Sequence, residues 1–202
     1  KVSAEYVTGA IANINVGGRN YVKNGNFSRG NSEWDLFENL SQYSNEIILG
    51  KTPVGDYYVK SIGYVLSRQY LDDMEEGIYT ASAYVKVVNN PMNRILAQLR
   101  IIDSDNNIIG SVTQREVTSG WIRIQVTFEG KPHAIQIRSG GTSSDFSGDE
   151  ELHWTGVQLE RGNKITDWSP APEDIQAGIE IGGRNIASLS RVQISGGVSV
   201  SY

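Results

Sequence analysis

The stretch Ile78-Tyr79-Thr80-Ala81-Ser82-Ala83-Tyr84-Val85-Lys86-Val87 decides the fold class. Tyr79, Ala81, Ala83, Val85 and Val87 alternate with Ile78, Thr80, Ser82, Tyr84 and Lys86. Successive side chains leave a strand on opposite sides, so a period of two marks a strand with one buried face. The same period recurs downstream. Across Arg94 to Ile102, the set Ile95, Ala97, Leu99 and Ile101 alternates with Leu96, Gln98 and Arg100, the first set facing the core. Trp121 to Phe128 places Ile122, Ile124, Val126 and Phe128 on one side and Arg123, Gln125 and Thr127 on the other. Ala134 to Arg138 puts Ile135 and Ile137 inside, Gln136 and Arg138 outside. Turn formers separate these runs at Asn24-Gly25, Asp103 to Asn107, Thr118-Ser119-Gly120 and Ser139 to Gly148. Helical periodicity is scarce between Asn20 and Asp167, and short strands at close spacing predict an all-β sandwich of two antiparallel sheets.

Composition narrows the function. The chain has 202 residues, enough to bury one sizeable core. It has no cysteine, which removes disulfides, thiolate metal sites and cysteine nucleophiles together. No apolar run approaches the roughly 20 residues needed to cross a bilayer, so membrane insertion is not expected. The net charge is −5, which disfavours a phosphate-tracking surface and hence nucleic acid as a partner.

Val16-Gly17-Gly18-Arg19-Asn20 returns almost unchanged as Ile181-Gly182-Gly183-Arg184-Asn185, with Gly9-Ala10-Ile11 and Gly178-Ile179-Glu180 ahead of the two copies. Self-similarity of this kind marks a modular array. The division expected is a connector over 1–19, one module over 20–174, and a connector with the start of a following module over 175–202. At the exit, Ser169-Pro170-Ala171-Pro172-Glu173-Asp174 suggests a short helix with Ser169 as its N-cap and Pro170 at its first position.

Several of these pieces carry a family resemblance. Gly17-Gly18-Arg19-Asn20, Asn24-Gly25-Asn26-Phe27-Ser28 and Trp34 resemble the opening of the carbohydrate-binding-module-like jelly rolls of bacteriophage tail fibre and baseplate proteins. Tyr79 to Lys86 is similar to the central strand of that family, and Gly156 to Gly162 with Thr166 to Asp174 to its closing strand and exit. The resemblance implies a jelly roll in a virion tail fibre or baseplate. It implies a non-catalytic role in which host cell-surface polysaccharide is bound during adsorption, in a homotrimeric fibre with further modules. A spacer or trimerisation unit without its own ligand is the alternative, since one fold serves both uses. Sugar-binding relatives commonly hold a structural calcium, but its acidic positions are here filled by Ser28 and by His153-Trp154-Thr155, so no cofactor is expected.

The candidate sites follow from side-chain chemistry. Sugars pack C–H patches on aromatic faces and share hydrogen bonds with planar polar groups. The outward row Gln98, Arg100, Arg123, Gln125, Gln136 and Arg138, with Tyr84, forms a candidate polar sheet face; guanidinium forks suit acidic or phosphorylated glycans. Tyr43, Tyr57 and Tyr58 are candidate rim aromatics in loops. Trp34, Trp121 and Trp168 read as architectural, whereas Trp154 alternates with an inward His153 and is expected to face outward. Asp145, Asp149, Glu150 and Glu151 form a weak candidate cation cluster. Asp103 to Asn107 mimics half a calcium loop but has Ile108 and Gln114 where that pattern needs Gly and Glu, so a hairpin turn is expected. No pair of carboxylates suits glycan hydrolysis, because Asp72-Asp73-Met74-Glu75-Glu76 lies in one loop, and no nucleophile elbow exists.

Overall fold

A computed structural model describes residues 18–38, 43–91, 96–140 and 148–176. Within them lie β1 (Asp35–Glu38), β2 (Ser44–Thr52), β3 (Gly55–Ile62), β4 (Val65–Tyr70), β5 (Gly77–Asn89), β6 (Leu96–Ile102), β7 (Ile108–Gln114), β8 (Ile122–Gly130), β9 (Ala134–Gly140) and β10 (Glu151–Arg161). They form two antiparallel five-stranded sheets, ordered β1-β4-β9-β6-β7 and β2-β3-β10-β5-β8, the jelly-roll sandwich expected. Val16 and Gly17 of the first motif copy and the whole of the second copy, Ile181 to Asn185, fall outside the described residues, as do Arg94 and Ile95.

The period-two sets become the inner faces. On β5, Tyr79 is 1% exposed and Ala81, Ala83, Val85 and Val87 are fully buried; Ala97, Leu99 and Ile101 of β6 meet them from the other sheet, with Ile135 and Ile137 of β9 beside them. Ile124 and Phe128 of β8 are buried, and Ile122 and Val126 pack against the same core. Asp103 closes its turn by accepting from the Asp105 and Asn107 amides at 2.9 and 2.8 Å and from the Asn107 side chain at 3.0 Å. It is the hairpin turn expected of an Asx residue there.

β10 departs from simple alternation. Its register against β5 slips between Thr155 and Gln158, where Gly156 has φ +59. A bulge inserts one residue, and a one-residue slip moves every later side chain to the other face. Leu152, Trp154, Val157 and Leu159 therefore all point inward, while His153, Thr155, Gln158 and Glu160 lie on the outer side. His153 is thus not in phase with Val157 and Leu159, and Trp154 is not outward: it is fully buried.

The segments before and after the sandwich strands clasp each other. Asn20, 1% exposed, accepts from the amides of Val22 (2.9 Å) and Leu159 (3.1 Å) and donates to the Ser169 carbonyl (2.9 Å). Arg19 pairs with Glu173 and Arg29 with Asp174, whose carboxylate also accepts from the Asn24 amide at 2.7 Å. Asn24 in turn ties Gly30, Ser32 and Arg29, and its carbonyl receives the Trp34 indole N–H. Gly25 is required here because a Cβ would stand 2.1 Å from the Val157 carbonyl oxygen. The Arg-Asn and Asn-Gly motifs are thus sewing points between entry, closing strand and exit. The exit helix spans 172–176, with Pro172 at its first position and the Ala171 carbonyl accepting from Asp174 and Ile175. Ser169 is not its cap and Pro170 is not its first residue, since the helix begins only at position 172 and the Ala171 carbonyl starts its hydrogen bonding.

Candidate functional site

The outer face of the β1-β4-β9-β6-β7 sheet carries planar polar side chains in two cross-strand rows. Asp35, Arg68, Gln136, Arg100 and Ser111 are consecutive partners across all five strands. Leu66, Arg138, Gln98 and Thr113 form the adjacent row. These positions face outward because Leu99, Ile101, Ile135 and Ile137, between them in sequence, occupy the core. Gln98, Arg100, Gln136 and Arg138 are thus brought together as the alternation predicted.

Neighbours orient these groups. The Gln136 amide, only 5% exposed, accepts from Nε and Nη2 of Arg68 at 3.2 Å. Arg68 donates to the Tyr70 hydroxyl (3.0 Å) and lies 5.7 Å from its ring centroid. Arg138 donates to the Tyr64 hydroxyl (2.9 Å), lies 5.5 Å from that ring centroid, and reaches the Ser139 carbonyl. Gln98 donates to Ser111 at 3.2 Å. Two buried atoms of the face, Gln98 Oε1 and Arg100 Nε, have no partner. Burial pushes the Arg100 guanidinium below its ordinary pKa, and the positive charge of Arg138 adds to this. Chemically, the face offers guanidinium forks, amides and hydroxyls flanked by two tyrosine rings, the equipment for holding a hydroxyl-rich ligand.

The remaining candidates lie elsewhere. Arg123, Gln125 and Tyr84 are on β8 and β5 of the other sheet, because the chain crosses over between β7 and β8. The row expected from alternation is therefore divided between two opposite faces. Arg123 serves as a strut: it donates to the Thr166 carbonyl (2.8 Å), Ser82 (3.0 Å) and Gln158 (2.9 Å) and stands over the Tyr84 ring. Beside it the fully buried Glu160 carboxylate accepts from the Thr166 amide and hydroxyl, binding the exit segment to this sheet. Tyr43 is not a rim aromatic but a core residue, 2% exposed, over Gly63. Tyr57 and Tyr58 belong to strand β3 rather than a loop; Tyr57 packs on the core, and Tyr58 lies outside against His153 (centroids 4.4 Å apart) and Trp121 (5.8 Å). Trp34 is buried against Phe27, as expected of an architectural residue.

The acidic cluster disperses as well. Asp145 lies outside the described residues. Glu150 is buried and accepts from the Gly148 amide, Glu151 engages His153 and Lys60, and the Asp149 carbonyl accepts from Asn89. Among the described residues no group of three His, Asp or Glu side chains is arranged to hold a metal ion.

Hydrophobic alternation along the chain does not single out Arg68, Tyr64, Tyr70 and Asp35. The inward positions of β4 are Val65, Ser67 and Gln69; Ser67 takes a hydrogen bond from Asn45 and Gln69 pairs with the Lys23 backbone. With two of three core-facing residues polar, hydrophobic alternation cannot show which side is out. The usable signal was the pairing of β4 with β9, which sequence alone does not state.

No family model and no curated protein sequence matches the chain. Solved structures do share the fold. A family 61 carbohydrate-binding module, TmCBM61, in complex with β-1,4-galactotriose superposes with TM-score 0.54 at 16% identity, over 71% of this chain and 99% of that one. The CBM22-1 xylan-binding domain of Xyn10C from Paenibacillus barcinonensis gives 0.51 at 12% identity, over 75% and 99%. The enzymatically active domain of tailspike protein 4 from bacteriophage CBA120 gives 0.53 at 15% identity, over 69% of this chain but 21% of that one. At such identities the likeness concerns the sandwich itself.

Proposed function

We propose that this chain is a non-catalytic saccharide-binding module that holds a glycan on the outer face of the β1-β4-β9-β6-β7 sheet. The observation that carries the reading is the pair of cross-strand rows of guanidinium, amide and hydroxyl groups, in which Gln98 Oε1 is buried without a donor. A buried acceptor left unsatisfied costs about 1–3 kcal/mol, which turning the Gln98 side chain outward to a sugar hydroxyl would recover. Two similar folds, one in complex with β-1,4-galactotriose and one a xylan-binding domain, support the class of ligand.

The finer setting is a bacteriophage tail fibre or baseplate protein, in which modules of a homotrimer present this face to host surface polysaccharide and gain avidity by repetition. Its support is the repeated Gly-Gly-Arg-Asn, the family resemblance of the opening and closing segments, and the likeness to a tailspike domain. A spacer reading is favoured by the clasp of Arg19 to Glu173 and Asn20 to Ser169, which sets entry and exit side by side.

The test is a panel of immobilised bacterial and plant polysaccharides probed with the labelled 202-residue chain and with a Gln98→Ala, Arg138→Ala variant. Saturable binding lost in the variant supports the site. Binding that survives intact places it elsewhere, and no binding by a multimerised chain leaves the spacer as the better reading.

A further inference from the structure

Resting on that reading, we infer that the face selects saccharides bearing an anionic substituent, a carboxylate or a phosphate, seated between Arg100 and Arg138. The two residues are on neighbouring strands in adjacent rows: Arg100 is opposite Gln136, and Arg138 is opposite Gln98. No carboxylate among the described residues forms an ion pair with either. Five other cations, Arg19, Lys23, Arg29, Lys60 and Arg161, each meet an acid, and Arg123 is instead enclosed by carbonyl, hydroxyl and amide oxygens.

The arrangement is unfavourable as it stands. The positive charge of Arg138 acts on Arg100 where water is partly excluded, and the Arg100 Nε–H is buried without an acceptor. An anion lowers the first cost directly: it screens the repulsion and accepts from the Nη groups of the guanidinium. Gln98 and Gln136 flank the position on the facing strands. Tyr64 and Tyr70 stand at its margins. The chain as a whole is acidic, at −5, so general attraction to polyanions is opposed and any preference for them must arise locally.

The experiment is affinity electrophoresis and calorimetry of the 202-residue chain with three polymers: polygalacturonate, which carries carboxylates, a phosphomannan, which carries phosphates, and a neutral galactan. The variants are Arg100→Gln, Arg100→Lys and, as a control of equal charge change, Lys51→Gln at the exposed β2–β3 hairpin. The inference expects binding to one acidic polymer that falls about tenfold or more in Arg100→Gln, because a charge-assisted hydrogen bond is lost. It expects a smaller fall in Arg100→Lys, none in Lys51→Gln, and weakening with salt. The polymer retained identifies the anion. Binding to galactan as tight as to either acidic polymer, or equal loss in Lys51→Gln, overturns the inference while leaving a saccharide module standing. Absence of binding to all three polymers and to the wider panel removes both. If Arg100→Gln melts early, Arg138→Gln provides the same comparison from the second guanidinium.

Discussion

Substituting Gly156 by alanine tests the device that phases β10. The backbone there is left-handed, φ +59, which costs a residue with a Cβ about 1–2 kcal/mol. The added Cβ would stand 2.9 Å from Tyr84 Cδ2 and 3.1 and 3.2 Å from the Val54 methyls. Relieving those contacts means moving a half-buried ring or the turn that holds Val54, about 1–2 kcal/mol more. The sum is about 2–4 kcal/mol, and at about 2–4 °C per kcal/mol for a chain of this size the midpoint should fall by about 5–15 °C. Thermal unfolding followed by circular dichroism reads this directly. Gly120→Ala is the matched control, since nothing lies within 4 Å of a Cβ there, and it should change the midpoint little. A Gly156→Ala protein melting within about 1 °C of its parent would refute the reasoning, because neither the left-handed backbone nor the crowding could then be real.

Asn20→Ala should destabilise by about 2–4 kcal/mol in urea titrations, since the Val22 and Leu159 amides lose their acceptor and Ser169 its donor. Trp154→Ala should cost about 3–5 kcal/mol as a core cavity, far more than Trp121→Ala on the half-buried outer side. Burial holds the His153 imidazole below its ordinary 6.5, partly offset by Glu151, with Lys86 and Lys60 pressing it lower. The unfolded chain therefore takes the proton first, so this contribution to stability is full above about pH 7 and is lost as pH falls through 6.5 toward the folded value. Titration of the His153 ring by NMR should show the depression, and His153→Gln should flatten the corresponding loss of stability.

Much of the frame was legible because hydrophobic phase survives into structure wherever one face is buried. Tyr79 to Val87, Ala97 to Ile101, Ile124 to Phe128 and Ile135 to Ile137 all landed inside as their period required. The same logic placed Gln98, Arg100, Gln136 and Arg138 together on an outer face. It misled at β10, where one bulge residue reversed the phase of His153 and Trp154 against Val157. It was mute at β4, whose inward Ser67 and Gln69 are satisfied by hydrogen bonds rather than by apolar contact.

Sequence by itself determined the all-β class, the inward sets and the motifs at entry and exit, because these rest on local period and on turn chemistry. Which outward residues share a surface was decided only by tertiary structure. Arg123 and Arg100 look equivalent along the chain, yet they lie on opposite faces of the sandwich because strand partners are chosen across long separations. The crossover between β7 and β8 made Arg123 a strut for the exit segment, and the pairing of β4 with β9 brought Arg68 beside Gln136. Alternation reports the side of a strand, but only the closed sandwich says what that side faces.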